Sequence, residues 1–110
     1  MSSQAPLGAF EEQILVAVLR TQGDAYGMRV RREIERVTGR ELAIGAVYAT
    51  LDRLEAKGLL VSARRREEST SLRVFSVTKL GARTLTETRS MRERLWDGID
   101  IQRIRSIARS

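Results

Sequence analysis

Leu7, Phe10, Ile14, Ala17 and Val18 recur at three- and four-residue steps near the start of the chain. That spacing lines one face of a helix and predicts one from Leu7 to about Arg20. Gly23 and Asp24 then mark a turn over residues 21–25. Met28, with Val30 beside it, Ile34 and Val37 repeat the helical step. A second helix is expected with these residues inward and Arg29, Arg31, Arg32, Glu35 and Arg36 outward. Gly39 stands where a helix commonly ends on glycine. After a link over residues 40–42, Ile44, Val47, Leu51 and Leu54 line one side of a third helix, which Lys57-Gly58 stops. Two three-turn helices joined by a short glycine-bearing link predict a helix-turn-helix over residues 26–57.

Past Gly58 the period shortens. Residues 59–65 and 72–78 are rich in β-branched and apolar side chains with partial alternation, which predicts two strands around a polar tip at residues 66–71. A hairpin directly after such a helix reads as the wing of a winged helix, its second strand anchored by Leu72, Val74, Phe75 and Val77. Thr78 is the expected N-cap of a last long helix from Lys79. The stripe of that helix, Leu80, Leu85 with Thr84 alongside, Thr88, Met91 and Leu95 with Trp96, approximates a heptad seam. Asp97-Gly98 is a break, and Ile101, Ile104 and Ile107 resume helical spacing. The expected fold is mainly α with a small β-hairpin: a winged helix-turn-helix plus a C-terminal dimerisation helix. No internal repeat interrupts this order.

Composition narrows the chemistry. The 110 residues suffice for one core, and they include neither cysteine nor histidine. Disulfides, thiolate or imidazole metal sites and every nucleophile–His pair are thereby excluded. The acidic pairs Glu11-Glu12 and Glu67-Glu68 are sequence neighbours, expected to be solvated, and no Gly-rich phosphate loop is present. Neither an enzyme nor a cofactor is expected. The longest apolar run, residues 14–19, is far short of the roughly 20 residues of a membrane span. Without a signal-like N-terminus, a cytoplasmic location is expected. The net charge of +6 concentrates toward the end, where residues 77–110 carry eight bases against four acids. Such a surface suits a polyanion, nucleic acid above all. Arginine bias in the genome offers a second account, because only Lys57 and Lys79 among the twenty bases are lysine.

Ala25-Tyr26-Gly27, the run from Gly45-Ala46-Val47-Tyr48 through Asp52-Arg53-Leu54-Glu55, Lys57-Gly58-Leu59, and Val77-Thr78 with Gly81 resemble the PadR family of bacterial transcriptional regulators. The resemblance extends from Leu7 to about Leu85. It implies a winged-helix domain, a dimer held by a long C-terminal helix and usually repression of a nearby gene. Residues 1–6 are then a flexible tail, 7–78 the DNA-binding domain and 79–110 the dimerisation segment. Two features depart from the family. Ala43 occupies a capping position commonly held by Ser or Thr, a loss of about 1 kcal/mol. The wing tip reads Glu68-Ser69-Thr70 in place of Gly-Gly-Arg, with Leu72 where a basic residue is frequent.

The third helix must turn its apolar side inward, so its opposite face is the expected reader of double-stranded DNA. Gly45 and Ala46 allow close approach, Ala46 and Ala49 suit thymine methyls, and Tyr48 and Arg53 suit phosphate or guanine. So few bidentate groups imply specificity drawn largely from DNA shape. Packing offers a second account of Tyr48, and pairing with Asp52 or Glu55 a second account of Arg53. Arg29 and Arg32 on the preceding helix and Arg65 and Arg73 on the wing are further candidate phosphate contacts. Leu85, Met91, Leu95 and Trp96 are expected in a homodimer contact. Some relatives stack planar ligands on a tryptophan of this helix, so Trp96 reads either as buried between subunits or as the site of a small-molecule effector. The competing functional reading is a winged-helix protein-interaction module that does not bind DNA.

Overall fold

The computed structural model describes residues 6–110. Five helices and one hairpin follow in the order α1 (Ala9–Arg20), α2 (Gly27–Thr38), α3 (Ile44–Ala56), β1 (Leu60–Glu67), β2 (Thr70–Val77), α4 (Lys79–Trp96) and α5 (Ile101–Arg109). Residues 1–5 of the expected tail lie outside this description.

The core forms where the sequence periods meet. Ile14, Leu15 and Val18 of α1, Val30 and Ile34 of α2, and Val47, Leu51 and Leu54 of α3 are buried together with Leu59, Leu60 and Phe75. α1 begins two residues later than its apolar pattern, at Ala9, because Gly8 takes the extended N-cap conformation and Glu11 reaches back to its N–H. Leu7 packs against the core from outside the helix, its N–H donating to Thr88 Oγ1 at 3.1 Å.

α2 corrects its predicted face. Val30 and Ile34 are buried, but Met28 and Val37 are exposed and Glu33 is turned inward. A carboxylate tolerates that position because Arg20 Nε donates to it at 2.6 Å and Arg36 at 2.8 Å. Apolar spacing alone could not reveal partners supplied partly by another helix. Gly39 ends α2 in the left-handed conformation, φ 74°. The link to α3 is then pinned from within, since Glu35 accepts the Leu42 N–H at 2.8 Å and pairs with Arg31.

The hairpin is longer than its pattern, because the ladder continues through polar residues to the Glu67–Thr70 pair and leaves only Glu68 and Ser69 at the tip. Glu68 adopts φ 51° there. Of the four expected anchors of β2 only Phe75 is fully buried; Leu72, Val74 and Val77 are half-buried. A connection that sequence pattern did not reveal lies on the other edge of β2, where Phe75 N–H donates to the Ala25 carbonyl at 2.9 Å. The turn before α2 is thereby tied to the wing.

Thr78 caps α4 as expected, accepting the Gly81 N–H at 3.0 Å, and its hydroxyl donates to the Gly58 carbonyl at 2.6 Å. Gly81 is required here: a Cβ would lie closer than 3.0 Å to the Leu59 carbonyl oxygen, a backbone atom that cannot move aside. The heptad seam is only partly realised. Gly81, Thr84 and Thr88 form the buried face, and Leu80 and Leu85 pack on this chain's own core. The upper half of α4 therefore has a partner within the chain, contrary to the expectation that its whole stripe is free. Leu95, Trp96 and all of α5 are exposed.

Candidate nucleic-acid interface

The outer face of α3 is assembled by its inner one. With Val47, Thr50, Leu51 and Leu54 sealed in the core, 100° per residue leaves Gly45, Ala46, Tyr48, Ala49, Asp52 and Arg53 outside, and all six are exposed. Ala43 supplies no side-chain cap. Its carbonyl accepts the Ala46 and Val47 N–H groups, while those of Ile44 and Gly45 have no helical partner.

Tyr48 lies across the N-terminus of α2. A Cβ added to Gly27 would meet its ring and hydroxyl closer than 3.0 Å, so the aromatic plane rests on bare backbone while 40% of the residue stays exposed. Gly27 and Tyr48, separated by 21 positions in sequence, are thus one contact. Packing, one of the two anticipated accounts of Tyr48, is met here by Gly27.

The cations divide into those held by acids and those left open. Arg53 turns toward α1, its Nε 3.5 Å from Glu11 Oε2 and its NH2 group donating to Thr50 Oγ1 at 3.3 Å. Lys57 reaches the same carboxylate at 2.9 Å. The anticipated alternative partners, Asp52 and Glu55, instead hold Arg73 at 2.7 and 2.5 Å. Arg73 also lies over the Phe75 ring, 4.7 Å from its centroid. Arg65 is bound by the Gly23 carbonyl, by Asp24 at 2.9 Å and by Glu67 at 3.0 Å. Arg29 is loosely associated with Glu33 at 3.8 Å, and Arg32 donates to the Tyr26 hydroxyl at 3.1 Å. Among the described cations before α4, Arg32, Arg40, Arg64 and Arg66 have no carboxylate within 4.0 Å, and Arg64 and Arg66 share one face of β1. Alternation along that strand separates them from the captured Arg65, a distinction that a run of three arginines does not announce.

Glu11 and Glu12 are not the solvated pair expected. Glu12 binds Arg92 of α4, and Glu11 receives Lys57 and Arg53. Burial pushes the Glu11 carboxyl up, but Lys57, the Gly8 N–H and Arg53 outweigh it and hold its pKa below the ordinary value. Arg36 and Arg20 lower Glu33 to about 2. Arg73 and Ser62 lower Glu55. These acids are anions that brace the scaffold, and no cluster among the described residues is suited to a metal ion.

Residues 14–87 match the Transcriptional regulator PadR-like family. The chain belongs to that family. That family is one of transcriptional regulators, not of enzymes. The chain is 39% identical over 72 residues to the transcriptional regulator Rv3488 of Mycobacterium tuberculosis, a match spanning 66% of each chain. It is 36% identical over 75 residues to an uncharacterized 37.1 kDa protein in transposon TN4556 of Streptomyces fradiae, covering 68% of this chain and 21% of that one. Among solved structures, a PadR family transcriptional regulator from Eggerthella lenta superposes with a TM-score of 0.66 at 24% identity, covering 78% of this chain and 76% of the other. RosR of H. salinarum gives 0.66 at 24% identity over 93% of this chain and 88% of its own. A Clostridium thermocellum transcriptional regulator gives 0.68 at 22% identity, covering 81% and 87%. At these identities the superpositions establish the winged-helix fold. The membership rationalises the motif residues physically, since Gly27 seats Tyr48 and Gly81 seats Leu59. No helix among the described residues is long and apolar enough to cross a membrane.

Proposed function

We propose that this PadR-like regulator is a repressor that binds a palindromic promoter site as a homodimer. Residues 7–78 read the DNA and residues 79–110 join the subunits. The observation that carries this reading is the uncovered outer face of α3, small at Gly45, Ala46 and Ala49, beside an uncapped helix N-terminus. That end suits close approach to a groove and its N–H groups suit a phosphate. Tyr48 and the open cations Arg32, Arg64 and Arg66 extend the surface; Arg29, Arg53, Arg65 and Arg73 join it only by leaving internal partners. Two α3 helices about 34 Å apart would meet successive turns of one DNA face. In-vitro selection from random DNA should return a palindrome. Affinity for it should fall roughly 10³–10⁵-fold between 50 and 200 mM salt if six to ten phosphates are neutralised. Binding indifferent to both sequence and salt would defeat the reading.

The internal pairing of Arg53, Arg65 and Arg73 favours one rival, a winged-helix interaction module without DNA binding. A folded parent chain that shows no measurable affinity for any duplex at 50 mM salt would count for it. A third reading, compatible with the first, places a planar small-molecule effector at Trp96, which is 54% exposed. Saturable quenching of this single tryptophan by planar cationic drugs would support it.

A further inference from the structure

Two cations of α3 converge on one carboxylate of α1. Glu11 Oε2 accepts from Lys57 Nζ at 2.9 Å and lies 3.5 Å from Arg53 Nε, while its Oε1 accepts the Gly8 N–H at 3.1 Å. The Glu11 side chain is 15% exposed, whereas those of Arg53 and Lys57 are 51% and 47% exposed. The anion is thus shut in beneath cations whose outer halves face solvent. No other carboxylate among the described residues lies within 4.0 Å of either cation.

Both cations continue the surface assigned above to DNA. Gly45, Ala49, Arg53 and Lys57 follow at steps of four, which sets them in one row along α3. The helix rises about 12 Å from Ala49 to Lys57, and a major groove is also about 12 Å wide. A helix that sets the small end of this row against base edges therefore carries its cationic end to the sugar–phosphate rim. There a phosphate oxygen and the Glu11 carboxylate compete for the same N–H donors, since both are anions that accept from guanidinium and ammonium groups. Full pairing with phosphate strips Glu11 of its partners. It leaves a largely enclosed carboxylate beside the charge of the DNA, which is unfavourable.

We infer that Glu11 is an internal competitor of the DNA backbone: it holds Arg53 and Lys57 in the free protein, must surrender them on binding, and thereby lowers the affinity of the α3 surface. This rests on the DNA-binding reading and adds a residue outside the reading face that restrains it. Phosphates are alike in every sequence, so the restraint falls on all duplexes. It holds down the non-specific binding of a chain whose net charge is +6. A brace that merely joined α1 to α3 would, on removal, lower stability and bring no gain in affinity.

Glu11→Gln separates the two roles. Its amide oxygen can still accept the Gly8 N–H, so the start of α1 is kept. Anisotropy titrations should show binding about ten-fold tighter than the parent's at 50 mM salt, on a selected and on a random duplex, with the slope of log affinity against log salt steeper by about 1. Glu12→Gln is the matched control, an adjacent carboxylate of α1 that pairs with Arg92 of α4 instead. It changes the net charge equally and should stay within about two-fold of the parent. In a chain already carrying Arg53→Ala and Lys57→Ala, Glu11→Gln should gain less than about two-fold. Should Glu11→Gln fail to fold, Glu11→Asp draws the carboxylate back by one methylene and should give a smaller gain of the same sign. A folded Glu11 variant that binds no tighter than the parent would overturn the competition and spare the DNA-binding reading. So would a gain matched by Glu12→Gln, or one that survives the loss of both cations. A parent chain without affinity for any duplex at 50 mM salt would sink both.

Discussion

Two glycines are required by close contacts with residues far away in sequence. Gly27→Ala places a methyl group against the Tyr48 ring. The ring can swing outward, so we expect a loss of about 1–3 kcal/mol together with weaker DNA binding. Gly81→Ala meets the Leu59 carbonyl, part of the backbone, and should cost about 3 kcal/mol. Denaturant melts of the two variants would rank them, and an equal or reversed order would contradict the geometry. Glu33 provides a titration test. Its carboxyl titrates at about 2 when folded against 4.5 as the ordinary value, so its stabilisation is complete above 4.5 and drains away as pH falls toward 2. The Tm gap between the parent and Glu33→Gln should be widest near neutrality and close across that window in a pH series of melts. The residue types of both glycines are visible in the sequence motifs, but the reason for them is not. Each answers an atom 21 or 22 positions away.

The joint between recognition helix and wing is electrostatic as well as apolar. Arg73 on β2 bridges Asp52 and Glu55 of α3, and Glu55 also accepts from Ser62 of β1. This network holds the hairpin against the helix, so Arg73→Ala should lower stability by about 1 kcal/mol while leaving the salt dependence of DNA binding nearly unchanged. Arg64→Ala and Arg66→Ala should do the reverse, each lowering the slope of log affinity against log salt by about 1 with little effect on melting. Anisotropy titrations at several salt concentrations would separate the two classes. At this scale the helices were legible because 3.6-residue periodicity survives tertiary packing, as Val47, Leu51 and Leu54 illustrate. The face of α2 was not, because Glu33 is buried by arginines that periodicity cannot count. The hairpin's extent was hidden likewise, since its outer half is held by backbone pairing among polar residues. The wing arginines were legible as a cluster, yet only strand alternation and the acids of α3 and the preceding turn decide which of them remain open.

The whole molecule is a compact winged domain with an apolar arm projecting from it. A single Ile104→Glu substitution in the full chain should weaken self-association at least ten-fold, as read by sedimentation velocity across a dilution series. Far-UV circular dichroism should remain unaltered, because Ile104 touches none of the domain's core. Self-association unchanged by that charge would place the contact elsewhere on α4. The joint at Gly81 has a different consequence. Thr78 is bonded to Gly58, Leu59 accepts the Thr78 N–H, and α4 rests on that same Leu59 backbone with no side chain between. The end of the recognition helix and the start of the C-terminal helix therefore behave as one bent lever, with no compliant element to absorb a rotation. If two copies pair through their C-terminal helices as proposed, anything wedged between those helices would be felt as a change in the span between the two α3 helices, without a single atom of their outer faces being touched.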